Sequence, residues 1–440
     1  MSNCKRYAVI GTGARSGMFT SALCKDFSEH GKLVALCDIN HTRMAYNVQM
    51  LKEKHELQHD IPCYGIESFD EMIRKERVDT VIVTTVDRTH HTWIIRAMEA
   101  GCDAISEKPM TTDEVKCRHI LDAIERTGRS LRVTFNYRYS PRNSKVKELL
   151  MQGVIGEVKS VHFEWLLDTK HGADYFRRWH RDKNNSGGLM VHKATHHFDL
   201  VNWWLDSSPE TVYAQGGLVF YGRENAEKRG VMQFYDRGTG NPLAANDPFA
   251  LDLSKNDHKR QLYLEAEHED GYRRDQSVFS DGISIEDDMA VLVRYRSGAT
   301  MTYHLTAYSP WEGWRIAFNG TKGRLEYDVH ENSYISGSDE DSNRPDVRDS
   351  KAVDLKEPAR ILIRPHWGQP VEVEVESGGG GHGGGDVRLL RDIFVGDEAD
   401  PLARAADHIA GARSILTGIA ANKSFATGMP VQVDDLVRVP

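Results

Sequence analysis

Short, continuous apolar runs alternate with amphipathic stretches over the first third of the chain. "RYAVIG", "KLVALCD", "TVIVTTV", "DAIS" and "LRVTFNY" are apolar on successive residues, as strands covered on both faces are. Between them, "MFTSALCKDFSEHG", "HTRMAYNVQMLKEKHEL", "SFDEMIRKERVD", "RTHHTWIIRAMEAG" and "TDEVKCRHILDAIERTG" carry helical spacing. Ser68 is placed to cap the third helix and Gly101 to end the fourth. The alternation predicts an α/β domain over residues 1–139, a doubly wound parallel sheet with helices on both faces.

The pattern changes after Tyr139. "GEVKSVHFEWLLD" and "DDMAVLVRYRSGATMTYHLTAY" alternate apolar and polar residues. They predict long strands of a large, mostly antiparallel open sheet with one covered face. Residues 140–440 are therefore expected to form an α+β domain for substrate binding and oligomerisation. Two polar segments, 221–283 and 331–357, fit no element and are expected to be insertions over or beside a site. "SGGGGHGGGD" reads as a flexible linker, or as backbone approaching a ligand with His382 in its midst; the linker reading is preferred.

Composition narrows the class. A chain of 440 residues is too long for one ordinary core. With 40% hydrophobic and 28% charged residues it is globular, and a net charge of −9 speaks against coating nucleic acid. No apolar run reaches the roughly 18 residues of a membrane span. The start runs straight into a strand pattern, so no signal peptide is expected. The six cysteines, Cys4, Cys24, Cys37, Cys63, Cys102 and Cys117, form no C-x-x-C pair. They read as buried free thiols in a reducing cytoplasm.

"GTGARSG" places Gly11, Gly13 and Gly17 between a strand and a helix, with Arg15 and Ser16 in the turn. Glycines there let backbone approach a pyrophosphate, and the helix start offers free N–H groups. The third glycine falls one position late, with Ser16 in its place. Asp38 ends the second strand, where a carboxylate accepts the ribose hydroxyls and repels a 2′-phosphate. NAD is favoured over NADP; Arg43 nearby is the feature that would admit NADP.

The next motifs are more specific. "TTVDRTHHTWIIRAMEAGCDAISEKP" resembles the Gfo/Idh/MocA oxidoreductase family, with Thr85, His90, Ala100, Gly101, Glu107, Lys108 and Pro109 matching in order. Val86 stands where that family has proline. "NYRYSP", "GVIGEV" and "GTKGRLEY" resemble later landmarks. The resemblance places Thr85, His90, Glu107, Lys108 and Asn136 around the cofactor, with Arg138 toward the substrate. It gives Lys108 the place beside the nicotinamide and the reacting carbon. A lysine there stabilises a developing alkoxide and relays its proton, helped by burial that lowers its pKa.

"SGGLMVHKATHHFD" resembles the family's glycine-rich entry to a helix in the second domain. His196 falls on the family histidine and Asp199 on its later aspartate. His192 falls where the family carries an aspartate. His192 and His196 are expected on one helix face, which leaves three readings. His196 is a general base on a sugar hydroxyl, with His192 as donor or relay; or the pair holds zinc; or the group is structural. No third ligand stands at a fixed spacing, so no metal is expected. Lys193 and His197 are carried as substrate-binding candidates, with solvent open for the first and a structural role for the second. Upstream, Arg177, Arg178, Trp179, His180 and Arg181 stand together. Arg178, Trp179 and Arg181 suit a sugar with an acidic substituent or a nucleotide phosphate; the other reading is a surface loop whose arginines pair with Asp174 and Asp182. Tyr308, Trp311 and Trp314 are either a further wall or core.

The expected activity is an NAD-dependent dehydrogenase or reductase on a hydroxyl or keto group of a sugar, polyol or sugar derivative. Lys108, His196 and His192 are the catalytic candidates. The alternative is an NAD-dependent glycoside hydrolase working by transient oxidation, elimination and re-reduction, on an acidic sugar. A non-catalytic sensor is disfavoured by the retained lysine and histidine. The resemblance implies a homodimer or homotetramer; from the net charge and the lack of a long apolar run, no nucleic-acid or membrane partner is expected.

Overall fold

The computed structural model describes residues 4–439 except 56, 58–59, 333, 336–358, 376–380 and 397–398. Most of the polar 331–357 segment therefore lies outside the described residues.

The apolar runs of the first third become six parallel strands: β1 (Lys5–Ile10), β2 (Gly31–Cys37), β3 (Cys63–Tyr64), β4 (Thr80–Val83), β5 (Asp103–Ser106) and β6 (Leu131–Val133). Their order is β3-β2-β1-β4-β5-β6. The chain reverses direction of winding between β1 and β4, so a crevice opens at the carboxyl ends of those two strands. Residues 8–10 of β1 and 81–83 of β4 are fully buried, because helices cover both faces.

The second sheet has nine strands: β7 (Val158–Asp168), β8 (Pro209–Gly217), β9 (Asp288–Tyr295), β10 (Thr300–Ser309), β11 (Gly313–Gly320), β12 (Gly323–His330), β13 (Ala359–Pro365), β14 (Val371–Val373) and β15 (Val431–Gln432). Their order is β14-β13-β12-β11-β7-β10-β9-β8-β15. All pairs are antiparallel except β7 with β10. The alternation seen in the sequence is the alternation of faces: in β9, Met289, Val291, Val293 and Tyr295 are buried, while Ala290, Leu292 and Arg294 are exposed. The inner face meets the helices Thr195–Leu205 and His408–Thr427, which pack on each other. Gly418 permits a close approach there; a Cβ on it would stand 2.3 Å from the Met190 carbonyl oxygen.

Several local expectations change. Ser68 precedes the helix Phe69–Glu76, yet its side chain makes no capping hydrogen bond. Cys37, Cys102 and Cys117 are buried, but Cys4 and Cys24 are half-buried and Cys63 is exposed; all six are free. The glycine-rich stretch does not act as a loose linker along its whole length. Gly381–Gly384 form a 3-10 turn that enters the helix Gly385–Phe394, and a Cβ on Gly385 would stand 2.3 Å from the Asn136 carbonyl oxygen. That helix returns to the first domain, with Phe394 edge-on to Tyr7 at 5.1 Å.

Candidate active site

The glycine loop follows β1. Gly11 has φ +88, and a Cβ there would meet the Thr84 carbonyl carbon at 2.7 Å, so only glycine fits between the two loops. A Cβ on Gly13 or Gly17 would meet nothing within 4 Å, which leaves open space over the turn. Ser16 begins the helix Ser16–Cys24, with its hydroxyl donated to the Gly13 carbonyl oxygen at 2.7 Å. Asp38 is buried at the end of β2. It accepts the Thr12 N–H at 2.5 Å and the Thr12 hydroxyl at 2.8 Å. Open space over the loop, a helix start behind it and a carboxylate beside it fit a dinucleotide.

Arg15 reaches across the crevice to Glu107 at 2.7 Å and toward Asp386 at 3.7 Å. Asn136 donates its amide to the same Asp386 at 2.6 Å. Two cofactor candidates, Arg15 and Asn136, are thus joined by an aspartate from the end of the glycine-rich stretch, which sequence reasoning missed. Its signal was a lone acid opening a helix after the glycines.

Thr85 lies in the loop after β4. His90 is 1% exposed, with Nδ1 2.8 Å from the Pro109 carbonyl oxygen and Nε2 3.0 Å from that of Thr85. Both nitrogens face backbone, so His90 lies between the loop of Thr85 and the loop of Lys108 and positions them.

Lys108 follows β5 and is directed at the second domain. Its Nζ lies 3.5 Å from His192 Nε2 and donates to the His192 carbonyl oxygen at 3.2 Å. Burial lowers its pKa to about 8, with the carboxylates of Asp87 and Glu107 opposing that shift. On the other side of the imidazole, His192 Nδ1 is 2.5 Å from Asp87 Oδ2. Asp87 is 3% exposed. Burial raises its pKa well above the ordinary value, against the pull of Lys108 and Arg178. Burial also holds His192 well below its ordinary value, and the cation of Lys108 adds to this. Asp87 was not among the expected site residues. The hint for it was the "VDRTH" departure after Thr85, beside the missing aspartate at position 192.

His192 and His196 do not share one helix. His192 ends the short helix Leu189–His192, and His196 lies in the first turn of Thr195–Leu205. Tight i to i−3 bonds, from His196 N–H to Lys193 O and His197 N–H to Ala194 O, break the run between them. His196 is 4% exposed, its ring 4.5 Å from that of Tyr137 and 6.1 Å from Phe135. Lys193 does not point to solvent. It is 4% exposed, with its ammonium 5.1 Å from the Trp165 ring centre and 5.8 Å from Tyr137.

Three substrate-binding candidates are held by partners within the protein. His197 is fully buried, stacked on Trp165 at 3.8 Å and bonded to the Tyr303 hydroxyl at 2.6 Å, so it belongs to the layer between helix and sheet. Arg138 holds Asp199 with two bonds of 2.5 and 2.8 Å, both side chains buried. Arg181 donates to the Ser277 and Asp281 carbonyl oxygens at 3.2 and 2.8 Å and to the Ser280 hydroxyl at 2.9 Å. It pins the 221–283 segment and is taken from the cleft. Trp314 is likewise core, stacked on Trp165 at 4.3 Å.

Arg178 and Trp179 stay at the site. Arg178 reaches Asp174 at 3.3 Å, and the same carboxylate takes Arg177 at 3.2 Å and Arg274 at 2.7 Å. Three guanidinium groups around one carboxylate drive the Asp174 pKa far down and leave the corner cationic. Trp179 stacks on His180 at 3.6 Å, and His180 meets the His192 ring edge-on at 4.1 Å. Among the described residues, no group of histidine, cysteine, aspartate or glutamate side chains is arranged to hold a metal ion, and no helix is long and apolar enough to cross a membrane.

This geometry has relatives. The family model "Oxidoreductase family, NAD-binding Rossmann fold" matches residues 5–135, and "Oxidoreductase family, C-terminal alpha/beta domain" matches residues 147–433. YteT of Bacillus subtilis (strain 168), which carries the name of an oxidoreductase, is 36% identical over 456 aligned residues, 99% of each chain. Inositol 2-dehydrogenase of Rubrobacter xylanophilus is 27% identical over 218 residues, 47% of this chain and 54% of that protein. The aldose-aldose oxidoreductase of Caulobacter crescentus, solved with glycerol, shares the fold at TM-score 0.61 and 18% identity over 97% of this chain and 99% of that one. A Rossmann domain carrying the glycine loop, and a second domain that brings a histidine to the lysine beside it, are matched here by both halves of one family: the chain belongs to the Gfo/Idh/MocA oxidoreductases.

Proposed function

We propose that the protein is an NAD-dependent dehydrogenase or reductase acting on a hydroxyl or keto group of a sugar, polyol or sugar derivative. The carrying observation is the line Lys108–His192–Asp87, buried where the two domains meet beside the glycine loop. A bound nicotinamide supplies the hydride acceptor; the chain supplies the proton path. In the basic form, Asp87 accepts the Nδ1–H of His192 and leaves Nε2 bare toward Lys108. A proton that arrives at Nε2 is matched by passage of the Nδ1 proton to Asp87, which leaves both groups neutral, the form that burial favours for each. Lys108, with a pKa near 8, holds the substrate oxygen and exchanges its proton at ordinary pH. His196, one irregular turn farther on, orients the substrate or shares the proton step.

Gly11, Gly13, Arg15, Ser16, Gly17, Asp38, Thr85, Glu107 and Asn136 form the cofactor cradle, and the Asp38 carboxylate favours NAD over NADP. Arg178, Trp179 and Lys193 form the substrate wall. A cationic corner beside an indole suits a sugar with an acidic substituent. The open face of the second sheet, where Leu292 is 48% exposed, is the proposed contact of a homodimer or homotetramer, and the compartment is the cytoplasm. The division at residue 139 is the proposed domain boundary, with Gly385–Phe394 docked back across it.

One observation favours the redox glycosidase reading. Residues 257–275 fold over the nucleotide edge of the first domain, as a cofactor that stays bound through turnover requires. The two readings separate on stoichiometry. With polyols, aldoses and uronates as probes, the dehydrogenase forms one NADH per product; the glycosidase releases an aglycone from a glycoside without net NADH.

A further inference from the structure

The charged segment 257–275 is built into the first domain. Tyr263 Oη accepts the Ala14 N–H of the glycine loop at 3.3 Å. Asn40, two residues after Asp38, donates its amide to the Ala266 carbonyl oxygen at 2.7 Å. The Glu269 carboxylate accepts the His41 and Thr42 N–H groups at 2.6 and 2.7 Å, at the start of the helix His41–His55. Arg274 ties the far end of the segment to Asp174 in the second domain.

Arg43 sits inside this contact and is 7% exposed. Its Nη1 donates to Asp270 at 2.9 Å and lies 4.0 Å from Asp38, and its Nε donates to the Leu262 carbonyl oxygen at 3.2 Å. Its Nη2 is buried with no hydrogen-bond partner among the described residues. An arginine just past the second strand is the group that accommodates a 2′-phosphate where one is accepted. Here two carboxylates flank that one guanidinium, so the pocket carries a surplus negative charge, and a phosphate dianion is repelled.

We infer that Asp270 is a specificity-determining residue for the cofactor: it holds Arg43 away from the ribose 2′ position and adds a second carboxylate beside Asp38. This rests on the reading of the first domain as a dinucleotide site that prefers NAD. The acid that decides the matter lies 227 residues beyond the arginine it restrains. Asp270→Asn removes the surplus charge and frees Nη1 to turn toward a 2′-phosphate.

The test is the dissociation constant of NAD+ and of NADP+, measured calorimetrically on the full chain without substrate. For Asp270→Asn the NADP+ constant falls about tenfold or more, while that of NAD+ stays within about threefold. Adding Arg43→Ala abolishes the gain, and Asp270→Glu, which keeps the charge, leaves both constants at their wild-type values. An unchanged NADP+ constant in Asp270→Asn, a gain that survives loss of Arg43, or equal loss of both dinucleotides overturns the role given to Asp270. A wild type that binds NADP+ more tightly than NAD+ overturns the cofactor reading itself.

Discussion

Asp87 Oδ2 and His192 Nδ1 stand 2.5 Å apart across the domain boundary, 105 residues apart in the chain. The family resemblance calls for a carboxylate at position 192. This chain has imidazole there and supplies the carboxylate from the loop after β4. The acid is displaced by one side chain, and the lysine now faces it through a histidine ring.

Asp87→Asn keeps the shape of that contact and removes the charge that orients the ring. It is expected to lower kcat by about a hundredfold, with dinucleotide affinity unchanged. Steady-state kinetics beside calorimetric binding of NAD+ checks this. Wild-type turnover in Asp87→Asn would show that the pair is structural.

The pH dependence follows from Lys108. Oxidation of a hydroxyl needs the free amine, so its kcat/KM rises with pH through an inflection near 8. The Asp87 carboxylate holds that value up against burial. In Asp87→Asn the inflection therefore moves to lower pH; a move to higher pH would contradict the electrostatic account.

Arg138 and Asp199 are a buried ion pair, with Asp199 about one turn beyond His196 on the same helix. Arg138→Leu leaves a buried carboxylate without its partner, and about 3–5 kcal/mol of stability is expected to be lost. Urea unfolding measures the loss. KM for the substrate should stay at its wild-type value, which separates this arginine from Arg178.

Gly172 lies in the helix Thr169–Arg177, which positions Asp174 and Arg177. A Cβ on it would stand 1.7 Å from the Ala307 carbonyl oxygen of β10. Gly172→Ala must push that helix off the sheet, at a cost of about 1–3 kcal/mol. A lowered unfolding midpoint together with a raised KM is the expected result.

Much of this was legible in local pattern. Continuous apolar runs and strict alternation separate the two sheets because each period reports how many faces are covered. The glycine loop and Asp38 sit within a short motif whose spacing points to their chemistry, and the family resemblance singles out Lys108. What the pattern hides is contact between distant segments. Asp87 is one polar residue in a loop until the second domain brings His192 to it. Arg138, Arg181 and His197 resembled ligand-binding groups, and their partners Asp199, Ser280 and Tyr303 stand 61 to 106 residues away in the chain. The break between His192 and His196 lies in backbone hydrogen bonding, which residue spacing does not encode. The 257–275 segment has no apolar period, because its polar groups are matched to partners about 220 residues earlier.

The central claim is that Lys108 and His192 move the proton of a hydroxyl whose hydride goes to NAD. It is tested most directly by NADH formation from a panel of polyols, aldoses and uronates with wild type, Lys108→Ala and His192→Ala, each matched to its measured NAD+ affinity. Stoichiometric NADH is expected from at least one substrate with wild type, with a loss of about a hundredfold or more in both variants and NAD+ binding unchanged. Full turnover in Lys108→Ala with its cofactor bound would contradict it.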